Sequence, residues 1–481
     1  MAKRSAHPMA TAAVIVAIPL LLGGFWWLNG RIQLADKSAG TSGTGQPADP
    51  VDGTIRLLQP PNTNPEGADG RAGASVLPGE LSIPKRKGLE ALAAGDYDGA
   101  QRQFSAALKA SRNDPETRIY LNNAKIGEGP AYVIAASMPV GEVLAPSLEL
   151  MRGVAHAQEQ VNTEGGIQGT PLKVLLFDDR GDTATAKTIA AGLVADKRVL
   201  GVVGHYSSDT SLAAATVYEP GQLTMVSPIS TAVKFSKAGN HIFRTVPSDA
   251  LAAKTLASHA LETGKKSVAI FYTGESTYSK SIHTEFITAF ANKGGRISAE
   301  FDVSSPAFNP QSAILEAQEQ GADVLMLALT IDTSDTSLAI LRANEGTLPL
   351  VGGDDLYDSK ILQEGQQNAL GLTVAVPWHI QNHLESDFVA QSRQLWGGDV
   401  NWRTVTAYDA AMALVEGIRD VSTRSGVAYG LSRAAFRAEG ATNDVAFTVT
   451  GDRDQPSQLV EVVRGDRSGS GYDYMPVQST P

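Results

Sequence analysis

Between residues 131 and 420 short apolar runs alternate with longer amphipathic stretches, and few architectures accept that rhythm. The runs at 132–136, 173–178, 199–204, 223–227, 267–272, 296–303, 324–329, 348–352 and 372–376 read as strands. Helices are expected between them at 147–163, 183–196, 250–263, 279–292 and 309–320, with a late helix at 406–418. Strands joined through helices build parallel sheets by right-handed crossovers, so the region is α/β. The pattern breaks near Pro247 and resumes in similar form, which favours two sheets over one of nine strands. Ligands of such folds bind beyond the carboxyl ends of the strands, at switch points and between lobes.

The chain has 481 residues, 42% hydrophobic and 19% charged, with a formal charge of −11 and no cysteine. Single cores rarely grow beyond about 250–300 residues, so several units are expected. The missing cysteine excludes disulfides, Cys-ligated zinc, iron–sulfur clusters, a thiol nucleophile and any thioether or thioester lipid anchor. Net negative charge without a Lys/Arg cluster argues against nucleic acid as a partner.

Lys3 and Arg4 precede an uncharged run at residues 10–28 that closes on Phe25, Trp26 and Trp27. As a helix this run would span about 28 Å, close to the hydrocarbon core of a bilayer. Positive charge ahead of it places residues 1–9 in the cytoplasm and the remainder on the far side of an inner membrane. A cleaved signal peptide is the rival reading, but the run is long for one and no small-x-small site follows it. Residues 29–84, rich in glycine and proline, read as a disordered linker.

Gly95, Tyr97, Ala100, Phe104, Ala107 and Leu108 fall at the offsets that let two short helices pack, small residues at the approach and aromatics in the gap. The segment 85–128 resembles a tetratricopeptide repeat, whose second helix reads G-x-Y-x-x-A-x-x-x-F-x-x-A-L. Pro115 follows, and residues 120–124 look like the start of another repeat. The first helix departs from that family, keeping only Gly88 as its small position. One and a half repeats must lean on the next domain or on a protein partner. A helical hairpin that merely caps the next domain is the alternative.

Further along, residues 162–167 (NTEGGI), 177–179 (FDD), 201–208, 227–228 (SP), 243–249 (FRTVPSD) and 407–410 (AYDA) occur in a telling order. In order and spacing they are similar to the periplasmic leucine/isoleucine/valine-binding proteins, which are type I solute-binding proteins. The resemblance covers about residues 131–465. It implies two doubly wound α/β lobes joined by three crossovers, after 245–249, at 376–378 and near Gly440. Lobe I would hold about 131–247 and 379–438, lobe II about 248–378 and 439–465, leaving 466–481 as a tail.

Carried over by motif, the implied ligand contacts are Ser207, Ser208, Ile229, Ser230 and Thr231 in the first lobe and Tyr278 and Asp354 in the second. Ser208 would hold an amino-acid carboxylate, and it also lies where a helix N-terminus offers free N–H groups to an anion. Ser207 and Asp209 suit equally as caps of that helix. Asp354 would meet the ammonium, although the family usually places glutamate there and Asp355 stands beside it. The strand that ends in tyrosines in the family reads LALTID at 327–332, so an aromatic wall is missing, while Val143 and Leu144 keep an apolar side.

Enzyme motifs are weak. His379 and His383 have the spacing of a helical metal pair but no glutamate after the first histidine and no third ligand, and read as two surface histidines. Residues 179–182 (DRGD) read as a turn, 263–267 (TGKKS) lack the upstream glycine of a phosphate loop, and no G-x-S-x-G elbow occurs. No catalytic, metal or cofactor site is expected. The expectation is a membrane-tethered binding protein for a small amino acid or related metabolite, serving an ABC-type permease. The alternatives are a sensor or assembly factor that uses the helical segment, or a scaffold without transport.

Overall fold

A computed structural model describes residues 74–477. The expected membrane span 10–28 and most of the linker lie outside them. Among the described residues no helix is long and apolar enough to cross a membrane.

The described chain begins with a clamp. Ser82, Asp96 and Asp114 cap helices α1 (Ile83–Ala93), α2 (Tyr97–Ala110) and α3 (Pro115–Ile126), and α1 and α3 carry proline in the first turn, where no N–H is missed. Glu116, fully buried near the start of α3, accepts from the Val76 amide at 2.6 Å and the Ser75 hydroxyl at 2.7 Å. Lys85 balances its charge at 2.7 Å, and Tyr120 donates to the Ala74 carbonyl at 2.8 Å. Residues 74–84, expected as the end of a disordered linker, are therefore pinned in place. Composition could not reveal this, because the partners lie about forty residues downstream.

The first lobe is a parallel sheet in the order β2-β1-β3-β4-β5, made of β1 (Tyr132–Met138), β2 (Leu172–Asp178), β3 (Val199–Val203), β4 (Thr224–Ser227) and β5 (Ile242–Arg244). Its crossovers run through α4 (Leu144–Thr163), α5 (Thr183–Ala195) and α6 (Ser208–Tyr218). Asn123 of α3 hydrogen-bonds both backbone groups of Val174 in edge strand β2 and the Gln158 amide of α4. The three N-terminal helices thus cap this lobe and share its core.

After residue 245 the chain crosses to the second lobe. There α7 (Asp249–Glu262), α8 (Thr277–Asn292), α9 (Pro310–Glu319) and α10 (Ser334–Asn344) accompany the parallel strands β6 (Ser267–Tyr272), β7 (Arg296–Asp302), β8 (Val324–Ala328), β9 (Leu350–Gly352) and β10 (Thr373–Val376). Strands such as β8, read VLMLA, are buried along their whole length, as a sheet covered on both faces requires. The chain then returns through α11 (Asp387–Trp396), α12 (Trp402–Asp420) and α13 (Arg424–Ser432) to the first lobe. Gly153 lets α12 lie directly on α4, since a Cβ there would stand 2.2 Å from the Thr404 carbonyl oxygen.

Two antiparallel strands, β11 (Gln458–Arg464) and β12 (Tyr472–Pro476), complete the second sheet in the order β12-β11-β10-β9-β8-β6-β7. Three strands, β5, β11 and β12, join the nine expected, and β12 lies in the supposed tail. The third crossing falls beyond Arg453, later than Gly440, because Gly451 bonds β5 through Arg244 N and Arg453 pairs with Asp409. Replacing Glu116 by alanine should free residues 74–77, read as faster exchange at the Val76 amide, and lower unfolding stability by about 1–3 kcal/mol.

Candidate functional site

In each sheet the strand order reverses beside the first strand, between β1 and β3 and between β6 and β8, which is where open α/β sheets bind ligands. The loops after β1, β2, β3 and β4 face those after β6, β8 and β9 across a cleft of about 410 Å³. That volume lies in the range of small-molecule sites.

On the first-lobe side Ser207 caps α6, accepting from the Thr210 amide at 3.1 Å, and Ser208 follows at the first helical position with 2% exposure. Ile229 and Thr231 stand on the loop after β4. Buried Arg244 steadies that loop by donating to the Ser230 and Ala232 carbonyls at 3.2 and 2.9 Å, its charge met by Asp452. Behind the loop after β3, buried His205 and Asp179 are 2.6 Å apart. That contact ties the β3 loop to the β2 loop bearing Arg180 and Gly181.

On the second-lobe side Tyr278, in the first turn of α8, donates to Asp354 Oδ1 at 2.8 Å. Gly353 makes the contact possible, because a Cβ there would lie 2.1 Å from the tyrosine oxygen. Asp355 accepts from the Ile331 amide at 3.2 Å and from Tyr206 at 3.5 Å, and Arg403 of α12 approaches it to 3.5 Å. Burial lifts the proton affinity of both carboxyls above the ordinary range. Asp249 adds to this at Asp354 and Asp354 adds to it at Asp355, while Arg403 opposes both. Asp249, fully buried, is pushed up to about 6 by desolvation, although the Thr231 and Ser281 hydroxyls nearby favour its charged form. No hydrogen bond of normal geometry reaches its oxygens.

The lobes also touch through Asp209. Its carboxylate accepts from the Thr277 amide at 3.1 Å and from the Thr277 hydroxyl, so one acid in the first turn of α6 caps α8 as well. Two helix N-termini share one negative charge.

Of the expected contacts, Ser207, Ser208, Ile229, Thr231, Tyr278 and Asp354 line the cleft. Ser230 does not line it: its hydroxyl is buried against Ser211 at 2.6 Å and holds the loop from behind. Val143 lines the cleft, whereas Leu144 is 41% exposed outside it. His379 is not a surface residue. It is 2% exposed in the second crossing and held near pKa 4 by burial, while half-buried His383 stacks on Trp378. Among the described residues no cluster of three or more His, Cys, Asp or Glu is arranged to hold a metal. Arg180, Tyr206 and Thr273 also line the cleft, and each follows a strand end, the one signal that could have found them.

This arrangement of sheets, crossings and cleft has counterparts. A profile described as periplasmic binding protein matches residues 134–470. The chain belongs to that family. The leucine-, isoleucine-, valine-, threonine- and alanine-binding protein of Pseudomonas aeruginosa is 30% identical over 325 residues, 66% of this chain and 86% of that one. The Leu/Ile/Val-binding protein homolog 3 of Brucella melitensis is 25% identical over 323 residues, 66% of this chain and 87% of the other. In fold, an ABC transporter substrate-binding protein of Desulfitobacterium hafniense, solved with Leu, matches with a TM-score of 0.62 at 24% identity, covering 72% of this chain and all of that one. A Rhodopseudomonas palustris solute-binding protein solved with 3,4-dihydroxybenzoic acid has the same TM-score at 16% identity, over 72% and 96%. Those two proteins share the fold and were solved with chemically different molecules.

The Tyr278 hydroxyl favours the charged form of Asp354. Tyr278→Phe should therefore raise the Asp354 proton affinity further, by about one pH unit, read by NMR titration of the carboxyl carbon.

Proposed function

We propose that the chain is an extracytoplasmic solute-binding protein, tethered by residues 10–28, whose lobes close on an α-amino acid or close relative for delivery to an ABC-type permease. One observation carries the reading: hydroxyls beside a helix N-terminus and a carboxyl group line opposite sides of one cleft. Ser208 and Thr231 stand beside the α6 N-terminus, and Asp354, oriented by Tyr278, stands opposite. A zwitterion needs both, because a buried charge left unpaired is costly. The names of the relatives, one a leucine-, isoleucine-, valine-, threonine- and alanine-binding protein and one a Leu/Ile/Val-binding protein homolog, point the same way. Function then resides in a lobe equilibrium biased by the ligand, with no bond chemistry.

A second reading gives α1–α3 a protein partner and makes the ligand regulatory. It draws on their position capping the first lobe, where no residue of theirs lines the cleft. A complex that survives mutation of the cleft would favour it.

A thermal-shift screen of the full chain with the common L-amino acids tests the main reading. A ligand at a hundredfold its Kd should add about 2.7 kcal/mol of stability. Flat melting curves in protein shown by mass spectrometry to be ligand-free would sink it. Ser208→Ala and Thr231→Val should each weaken binding about tenfold or more in calorimetry. The ammonium requires Asp354 ionised, and its proton affinity is raised. Affinity should therefore fall on acidification from about pH 8 to about pH 5, and Asp354→Asn should flatten that dependence.

A further inference from the structure

The charge inside the cleft deepens the solute-binding reading, on which this inference rests. Six carboxylates line it, those of Glu142, Asp209, Glu275, Asp332, Asp354 and Asp355, against one guanidinium, that of Arg180. An aliphatic zwitterion adds one charge of each sign and leaves that excess untouched. Inside the cleft Asp354 and Asp355 adjoin, with the buried guanidinium of Arg403 3.5 Å from Asp355.

The walls point the same way. Where a leucine side chain would need an apolar surface, the loop after β8 offers Thr330, Ile331 and Asp332. Both tyrosines of the cleft turn their hydroxyls to carboxylates, Tyr206 to Asp355 and Tyr278 to Asp354. Thr231 and Thr273 also line the cleft, one from each lobe, the Thr231 hydroxyl beside Asp249 and the buried Thr273 hydroxyl with no hydrogen bond of normal geometry. The two residues are only 4% and 8% exposed. The Thr273 hydroxyl, buried without a hydrogen-bond partner in the wall of the cleft, is placed for a polar ligand.

We propose that the solute is an α-amino acid whose side chain carries its own positive charge, an ammonium or guanidinium seated against Asp332 and Asp355, with Glu142 at the mouth. Asp332 and Asp355 line the same cleft, and the Asp332 charge contributes to the raised proton affinity of Asp355, so a cation seated between them would favour the ionised Asp355. The exposed acids at the mouth would also draw such a ligand in.

Calorimetric titration of the full chain with L-lysine, L-arginine, L-leucine and putrescine tests this. Lysine or arginine should bind at least about tenfold more tightly than leucine, and raised salt should erode that preference. Asp332→Asn, at an exposed site, should bring the ratio of basic to aliphatic affinity down at least about fivefold, with Glu142→Gln as a second variant. Leucine binding more tightly than both basic amino acids would overturn the charge assignment and leave the solute-binding reading standing. Putrescine matching lysine would overturn the α-amino-acid part, because it lacks the carboxylate. Binding of none of the four would overturn this proposal; a flat response across the wider amino-acid screen as well would remove the solute-binding reading beneath it.

Discussion

Two adjacent carboxyls, Asp354 and Asp355, are held at the seam between the lobes, and much of the surrounding structure answers to the cost of keeping them there. Charges removed from water need partners of good geometry. Tyr278 serves Asp354 only because Gly353 has no side chain. Asp355 takes the Ile331 amide from its own lobe, and Tyr206 and Arg403 from the other. The partners are thus divided between the lobes, so the electrostatic state of the cleft and the separation of the lobes are linked.

Asp209 sets the same link at the other wall. A carboxylate in the first turn of α6 also bonds the first residue of α8, where the N–H groups of a helix are otherwise unpaired. An incoming anion would meet the α6 terminus next to that acid. The hydroxyls of Ser208 and Thr231, rather than bare helix ends, then become the finer discriminators of what binds.

Much of this was legible in the sequence, for physical reasons that particular residues illustrate. Continuous apolar runs such as 324–328 announce buried parallel strands, and Ser207-Ser208-Asp209 after a strand announces a helix start. Ser230 was drawn into the site because neighbours on one loop cannot be separated by side-chain direction without a backbone. The short β5 and the alternating strands β11 and β12 lack the continuous apolar signal, and β12 falls in a glycine- and serine-rich stretch that reads as tail. Arg403, in the first turn of α12, carries no local mark of its role, and Asp249, though it ends the stretch FRTVPSD, carries none that points to the cleft. Their importance comes from partners about fifty to a hundred residues away, which only the fold brings near.

The buried Glu116 carries a mechanical implication. The backbone entering at Ala74 is tied to α3, and α3 is stitched to β2 and α4, so tension along the upstream chain passes into the core of the first lobe and not into the second. If the upstream chain is held, the first lobe becomes the stationary frame. The second lobe, joined to it covalently by the three crossings and otherwise by side-chain contacts such as Asp209 with Thr277, is then the part free to swing.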